Sequence, residues 1–68
     1  MDASTLEMVL TAYAETYHDA KTGGHADNVA HSEGLTAAAM LLAAVSGAED
    51  AAARAEIDRI DFKAQLAA

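Results

Sequence analysis

The sequence predicts a small all-α domain of three helices, and three observations lead to that prediction. Of the 68 residues, 19 are alanine, the strongest helix former, and none is proline, the strongest helix breaker. Apolar residues recur with helical spacing near the N-terminus. Glycines and capping residues divide the chain where helices would end. We expect one domain over residues 1–68, with helices over about 4–22, 28–46 and 48–66; the alternative is a helical hairpin that oligomerises.

The first helix has the clearest predicted boundaries. Ser4 and Glu7 have the spacing of a capping box, in which the two side chains reciprocally satisfy free backbone N–H groups. Lys21 suits the negative end of the helix dipole, and Gly23 and Gly24 can supply a left-handed stop. The apolar residues between these ends form a single stripe: Leu6, Val9, Leu10, Tyr13, Tyr17 and Ala20. A helix from Ser4 to about Thr22 is therefore predicted.

The second helix is predicted from an apolar run. Residues 35–45 are apolar nearly all round, which is typical of a helix buried on most sides. Asp27 and Asn28 can cap its start, Ser32 offers a later start, and Gly47 is a natural terminator. In a three-helix domain this is the central helix, whereas in a hairpin it would be the seam of an oligomer.

The third helix is predicted from caps and composition. Ser46 and Glu49 repeat the capping-box pattern, and Asp50, Arg54 and Asp58 have the spacing of a salt-bridge ladder. A single helix here carries apolar residues on two nearly opposite faces. One face holds Ala53, Ile57, Ile60 and Ala64, and the other holds Ala55, Phe62 and Leu66.

This surplus of apolar faces is the main functional clue in the sequence. A chain of this length hides only about 60% of the surface that its unfolded form exposes, and exposed apolar patches usually mark interfaces. The alternative is that the third helix bends or ends near Asp61, so that its last apolar residues fold back over the core. The predicted contact residues are three apolar anchors, Met40, Phe62 and Leu66, and an acidic rim, Glu56, Asp58 and Asp61.

Charge narrows the classes of partner. Eleven acids against four bases give a net charge of −7, which argues against binding nucleic acid or an anionic membrane through a basic patch and favours a basic protein as partner. The longest apolar run is about half of the ~20 residues that span a bilayer, so we expect no membrane insertion. The N-terminal residues lack the pattern of a secretory signal, and a cytoplasmic location is expected.

Metal binding and catalysis are weaker hypotheses. Glu15 and His18 have the Glu-x-x-His spacing of di-iron bundles, which need two such pairs and further glutamates; His31 is the other candidate ligand. The simpler interpretation of Glu15 and His18 is a solvated helix face, and we predict no metal and no cofactor. His31 and Ser32 are adjacent but point about 100° apart on a helix, so no nucleophile has a base beside it and no enzyme is expected.

The sequence therefore ranks three functions. The first is a small acidic helical protein–protein interaction module, regulatory or inhibitory, that acts through an apolar helix face and self-associates into a homo-oligomer. The second is a metal-binding helical protein that uses Glu15, His18 and His31. The third is an acidic mimic of nucleic acid, of the kind that phages use as inhibitors, which would block a basic protein.

Overall fold

The computed structural model describes residues 1–67 and confirms the all-α class. Four helices follow one another: α1 (Ala3–Thr22), α2 (Asp27–Ser46), α3 (Asp50–Ile57) and α4 (Phe62–Ala67). The helices α1 and α2 pair as an antiparallel hairpin, and α3 packs on another side of α2. Within the described residues, no Cα atom of α1 lies within 8 Å of a Cα atom of α3.

The start of α1 differs from the predicted cap. Asp2, in extended conformation, is the N-cap, and its carboxylate accepts a hydrogen bond of 2.8 Å from the backbone N–H of Thr5. This bond also lowers the pKa of Asp2. The prediction of Ser4 as the cap was wrong, because a better acceptor stands two residues earlier and Ser4 already lies inside the helix. At the other end, Gly24 takes the left-handed conformation, with φ of +91°.

The helix α2 ends as predicted but is less covered than predicted. Gly47 adopts φ of +73° and its N–H donates to the Ala43 carbonyl, which terminates the helix. The helix has the length and the mean hydropathy, 1.3, of a membrane-crossing segment, and the core helices of soluble proteins share these properties. Unlike such core helices, it has only 22% of its most apolar stretch buried in the domain. Met40 is 68% exposed. The expected burial on most sides was wrong, because α1 and α3 leave one side of α2 open.

The predicted third helix is broken into two. Asp58 ends α3, and the N–H groups of Arg59 and Ile60 turn back to carbonyls three residues earlier. Asp61 then starts α4, since its carboxylate accepts a 3.1 Å hydrogen bond from the N–H of Ala64. The break resolves the problem of two apolar faces, because it allows Ile57 and Phe62 to enter the same core. The break near Asp61 that the sequence allowed as an alternative therefore occurs. Phe62 folds back over the core as that alternative predicts, whereas Leu66 stays 45% exposed.

The second capping box also has a different role. Ser46 remains inside α2 and donates its hydroxyl to the Leu42 carbonyl, at 2.6 Å, while the same oxygen accepts from Ala48 N–H. The helix α3 begins at Asp50, and the side chain of its N-cap residue, Glu49, makes no capping hydrogen bond. The predicted start near residue 48 was therefore too early.

The core depends on a close approach between α2 and an aromatic ring of α1. Tyr13 is 2% exposed and Phe62 is 1% exposed, and their rings stack with centroids 4.4 Å apart. A Cβ atom on Gly34 would lie 2.6 Å from a ring carbon of Tyr13, inside van der Waals contact. The rest of the buried core comes from all of the longer helices: Val9, Ala38, Ala39, Leu42, Ala53 and Ile57.

Replacing Gly34 with alanine tests this approach. We expect Gly34→Ala to lower the free energy of unfolding by about 1–3 kcal/mol, because the added methyl group overpacks the core beside Tyr13 and outweighs the better helix propensity of alanine. Urea denaturation followed by circular dichroism measures the change. Gly23→Ala is the matched control: its Cβ would meet only ordinary contacts, the nearest at 3.4 Å, so we expect stability to stay equal or rise slightly. A Gly34→Ala protein at least as stable as the wild type would contradict the packing described.

Candidate interaction surfaces

The most exposed large apolar side chain on α2, Met40, stands at the edge of a groove between α2 and α3. We call this the α2–α3 groove; its volume is about 230 Å³, and its lining consists of Thr36, Ala39, Met40, Asp50 and Arg54. From Gly34 to Ser46 the chain contains no charged residue, so the only charges at the groove come from α3. An uncharged helix face is thus bordered by one acid and one base.

The two charged residues of the α2–α3 groove differ in their partners. The Arg54 guanidinium pairs with Asp58 at 3.0 Å and also donates to the Thr36 hydroxyl at 3.4 Å. Of the predicted salt-bridge ladder, only the Arg54–Asp58 step is present. Among residues 1–67, Asp50 forms no ion pair, and it remains exposed at the groove edge. Sequence spacing suggested these residues as a local ladder and missed that they line a groove with α2.

The structure separates the three predicted anchors. Phe62 lies in the core at 1% exposure, so its predicted role as a surface anchor was wrong; the break before α4 turns its ring inward onto Tyr13. Leu66 is 45% exposed, but it lies in a different groove, beside Tyr17 and Lys63. Met40 alone of the three borders the α2–α3 groove.

Two of the three residues of the predicted acidic rim are used in contacts within the domain. Asp58 pairs with Arg54, and Asp61 caps α4, so both have structural roles. Glu56 is exposed, and it lines neither the α2–α3 groove nor the groove beside Leu66.

A second groove lies between α1 and α2, and we call it the α1–α2 groove. Its volume is about 420 Å³. Its floor includes Met8 and Leu41, and its edges carry Glu7 and Glu15. Since Leu41 points about 100° away from Met40 around α2, the two grooves lie on different flanks of the same helix.

The candidate metal ligands do not come together. Glu15 and His18 line a shallow exposed site on α1, as the solvated-face interpretation predicts. His31 lies at the α1–α2 contact, where its Nδ1 atom shares a hydrogen bond of 2.6 Å with the Tyr13 hydroxyl. Within residues 1–67, no three side chains of the metal-binding types are grouped around a common point. Within one copy of the chain these three residues therefore do not form a single site.

A polar cluster that the sequence did not reveal holds α4 to the hairpin. Asp27 accepts a hydrogen bond from the Tyr17 hydroxyl and a 2.6 Å salt bridge from Lys63, whose ammonium also lies 5.6 Å from the centre of the Tyr17 ring. Tyr17 in turn stacks on Tyr13. The pair Asp27 and Lys63 is separated by 36 residues, so no local spacing could predict it.

Each pKa in the polar cluster shifts for an identifiable reason. The hydrogen bond from Lys63 and then that from Tyr17 lower the pKa of Asp27 from 3.8 to about 2. The same carboxylate raises the pKa of Lys63 and that of the Tyr17 hydroxyl. Burial raises the pKa of Tyr13. The shifts of Asp27, Lys63 and Tyr17 favour the protonation states that keep α4 in place at neutral pH.

Comparison with known proteins finds no matching family model, no similar curated protein and no similar solved structure.

The low pKa of Asp27 predicts that acid weakens the attachment of α4 to the α1–α2 hairpin. Because the folded-state pKa, about 2, lies below the ordinary value of 3.8, the Asp27 bonds stabilise the fold above about pH 4 and this contribution is lost as the pH falls toward 2. We expect Asp27→Asn to be less stable than the wild type at pH 7, and the difference to shrink between pH 4 and pH 2. Urea denaturation across that range, with amide exchange of α4, measures both effects.

Lys63→Met provides the matched variant for this prediction. This variant removes the ammonium donor, whereas Asp27→Asn removes the charge of the acceptor. We therefore expect its stability difference from the wild type to depend on pH in the same way. A stability difference between wild type and Asp27→Asn that stays constant from pH 7 to pH 2 would show that the carboxylate does not hold α4 through its charge.

Proposed function

We propose that this chain is a small acidic helical protein–protein interaction module, regulatory or inhibitory in role, that self-associates through the α2–α3 groove. The observation that carries the proposal is the open side of α2, which is uncharged from Gly34 to Ser46 and exposes 68% of Met40. An apolar helix face left without an intramolecular neighbour is the usual mark of an interface. The module then acts by presenting this face.

The shape of the molecule supports an external partner. The domain measures 33 × 25 × 16 Å, and its shortest dimension accommodates two layers of helices whose axes lie about 8–10 Å apart. Its helices therefore cannot surround α2. A second copy placed against the open side would add the missing layer and bury apolar surface that water now contacts.

The charge distribution favours docking of a second copy at the α2–α3 groove over docking elsewhere on the surface. A net charge of −7 makes two copies repel each other over most orientations. The α2–α3 groove is self-complementary, because Asp50 and Arg54 provide both signs beside an uncharged helix face. In a two-fold dimer each contact occurs twice, so Asp50 of one copy can face Arg54 of the other while each Met40 enters the opposite groove.

A substitution at Met40 tests the proposal. We expect Met40→Asp to weaken self-association about tenfold or more, because it places a buried like charge near the two-fold axis of the dimer, while the fold stays unchanged since Met40 is mostly exposed. Sedimentation equilibrium over a range of concentrations gives the dissociation constant, and circular dichroism checks the helix content. Raising the salt concentration should strengthen wild-type self-association, because salt screens the net repulsion between copies.

Leu66→Asp is the matched control for Met40→Asp. It adds the same charge at another exposed apolar side chain, which is 45% exposed and lies on α4, outside the α2–α3 groove. We expect its dissociation constant to remain within about twofold of the wild-type value. A wild type that stays monomeric near 1 mM, or a Met40→Asp protein that associates as strongly as the wild type, contradicts the proposal. Partition of the monomer into phosphatidylcholine vesicles in place of self-association would assign the open side of α2 to a membrane.

A further inference from the structure

The α1–α2 groove is long enough to receive about three turns of a helix. It follows α1 from Ser4 to Glu15, which is about 16 Å at 1.5 Å per residue, or three helical turns. Met8, 41% exposed, and the partly exposed Leu41 and Ala12 provide an apolar floor. Methionine adapts its shape to different apolar side chains, which suits a floor that receives a helix from another protein.

The edges of this groove carry only one sign of charge. Glu7 and Glu15 are both exposed, lie two turns apart at about 12 Å along α1, and form no ion pair within residues 1–67. No lysine or arginine belongs to the groove lining. Two of the four basic residues of the chain, Arg54 and Lys63, are paired elsewhere. The groove thus combines an apolar floor with an uncompensated acidic edge.

We propose that the α1–α2 groove binds an amphipathic helix of a basic protein. Apolar side chains one turn apart on that helix lie between Met8 and Leu41, and lysine or arginine residues two turns apart pair with Glu7 and Glu15. A second copy of this chain fits the groove poorly, because its acidic surface would meet another acidic edge. The proposal rests on the proposed function only in that the chain acts by binding protein; the surface is on the other flank of α2 from Met40.

A synthetic helix tests the proposal on the full chain. The probe is an 18-residue peptide with leucine at helical spacing and lysine on both sides of the leucine stripe, and the comparison peptide has glutamate at each lysine position. We expect saturable binding of the lysine peptide by fluorescence anisotropy, with amide shifts concentrated at Met8, Ala12 and Leu41. The glutamate peptide should not bind. Raising the salt concentration should weaken binding, because the ion pairs are exposed.

Charge reversal on the protein locates the contact. We expect Glu15→Lys to weaken binding of the lysine peptide about fivefold, since an exposed pair is lost and replaced by repulsion. Glu56→Lys is the matched control: it changes the net charge equally from an exposed position on α3, outside the groove, and should change the affinity less than twofold. Equal losses in the two variants, binding of both peptides with equal affinity, or no saturable binding near 1 mM would overturn the proposal.

The two interactions respond oppositely to salt, so their failures can be distinguished. Self-association through the α2–α3 groove should strengthen with salt, whereas peptide binding should weaken. Loss of peptide binding in a protein that still self-associates would overturn the helix-binding groove alone. Loss of self-association with peptide binding intact would leave the α1–α2 groove as the interaction surface of a monomeric module.

Discussion

The absence of a side chain at Gly34 lets α2 approach Tyr13 closely, and the other packing contacts depend on this approach. A Cβ atom on Gly34 would meet the Tyr13 ring at 2.6 Å, so the two helices could not come as close with any larger residue. The Tyr13 ring stacks on Phe62, and the Tyr13 hydroxyl shares a hydrogen bond with Nδ1 of His31. One aromatic side chain of α1 therefore connects α2 and α4, and a short chain without disulfides obtains a single core.

The same arrangement explains why α2 remains partly uncovered. The side of α2 that faces α1 is filled by the core around Tyr13, and α3 has only eight residues with which to cover another side. Nothing in residues 1–67 covers the rest, so Met40 faces solvent. The hydrophobicity of α2 exceeds what its own domain can bury, and this excess supports the proposal of self-association. The apolar floor of the α1–α2 groove comes from Met8 and Ala12 of α1 together with Leu41 of α2.

Electrostatics gives the two grooves different properties. Lys63 is used to attach α4 through Asp27, and Arg54 remains at the α2–α3 groove, where it is the only base in the lining. The α1–α2 groove has no base at all. Because like charges repel across an interface, the first groove suits an identical copy and the second suits a basic partner.

The sequence by itself determined the helices, and tertiary structure decided which of their faces meet. Alanine content, apolar spacing and the stop at Gly47 act locally, through backbone entropy and hydrogen bonding, so the all-α class and the course of α1 and α2 could be predicted. Local patterns allowed a break near Asp61 only as an alternative to one continuous helix, because the gain that selects the break is burial of Phe62 against Tyr13, 49 residues earlier. Because this contact is distant in the chain, the sequence pattern predicted Phe62 on the surface. The pattern also predicted that an interface exists, but not which residues form it. Which apolar surface stays exposed depends on contacts between residues distant in the chain, and those contacts exist only in the folded domain.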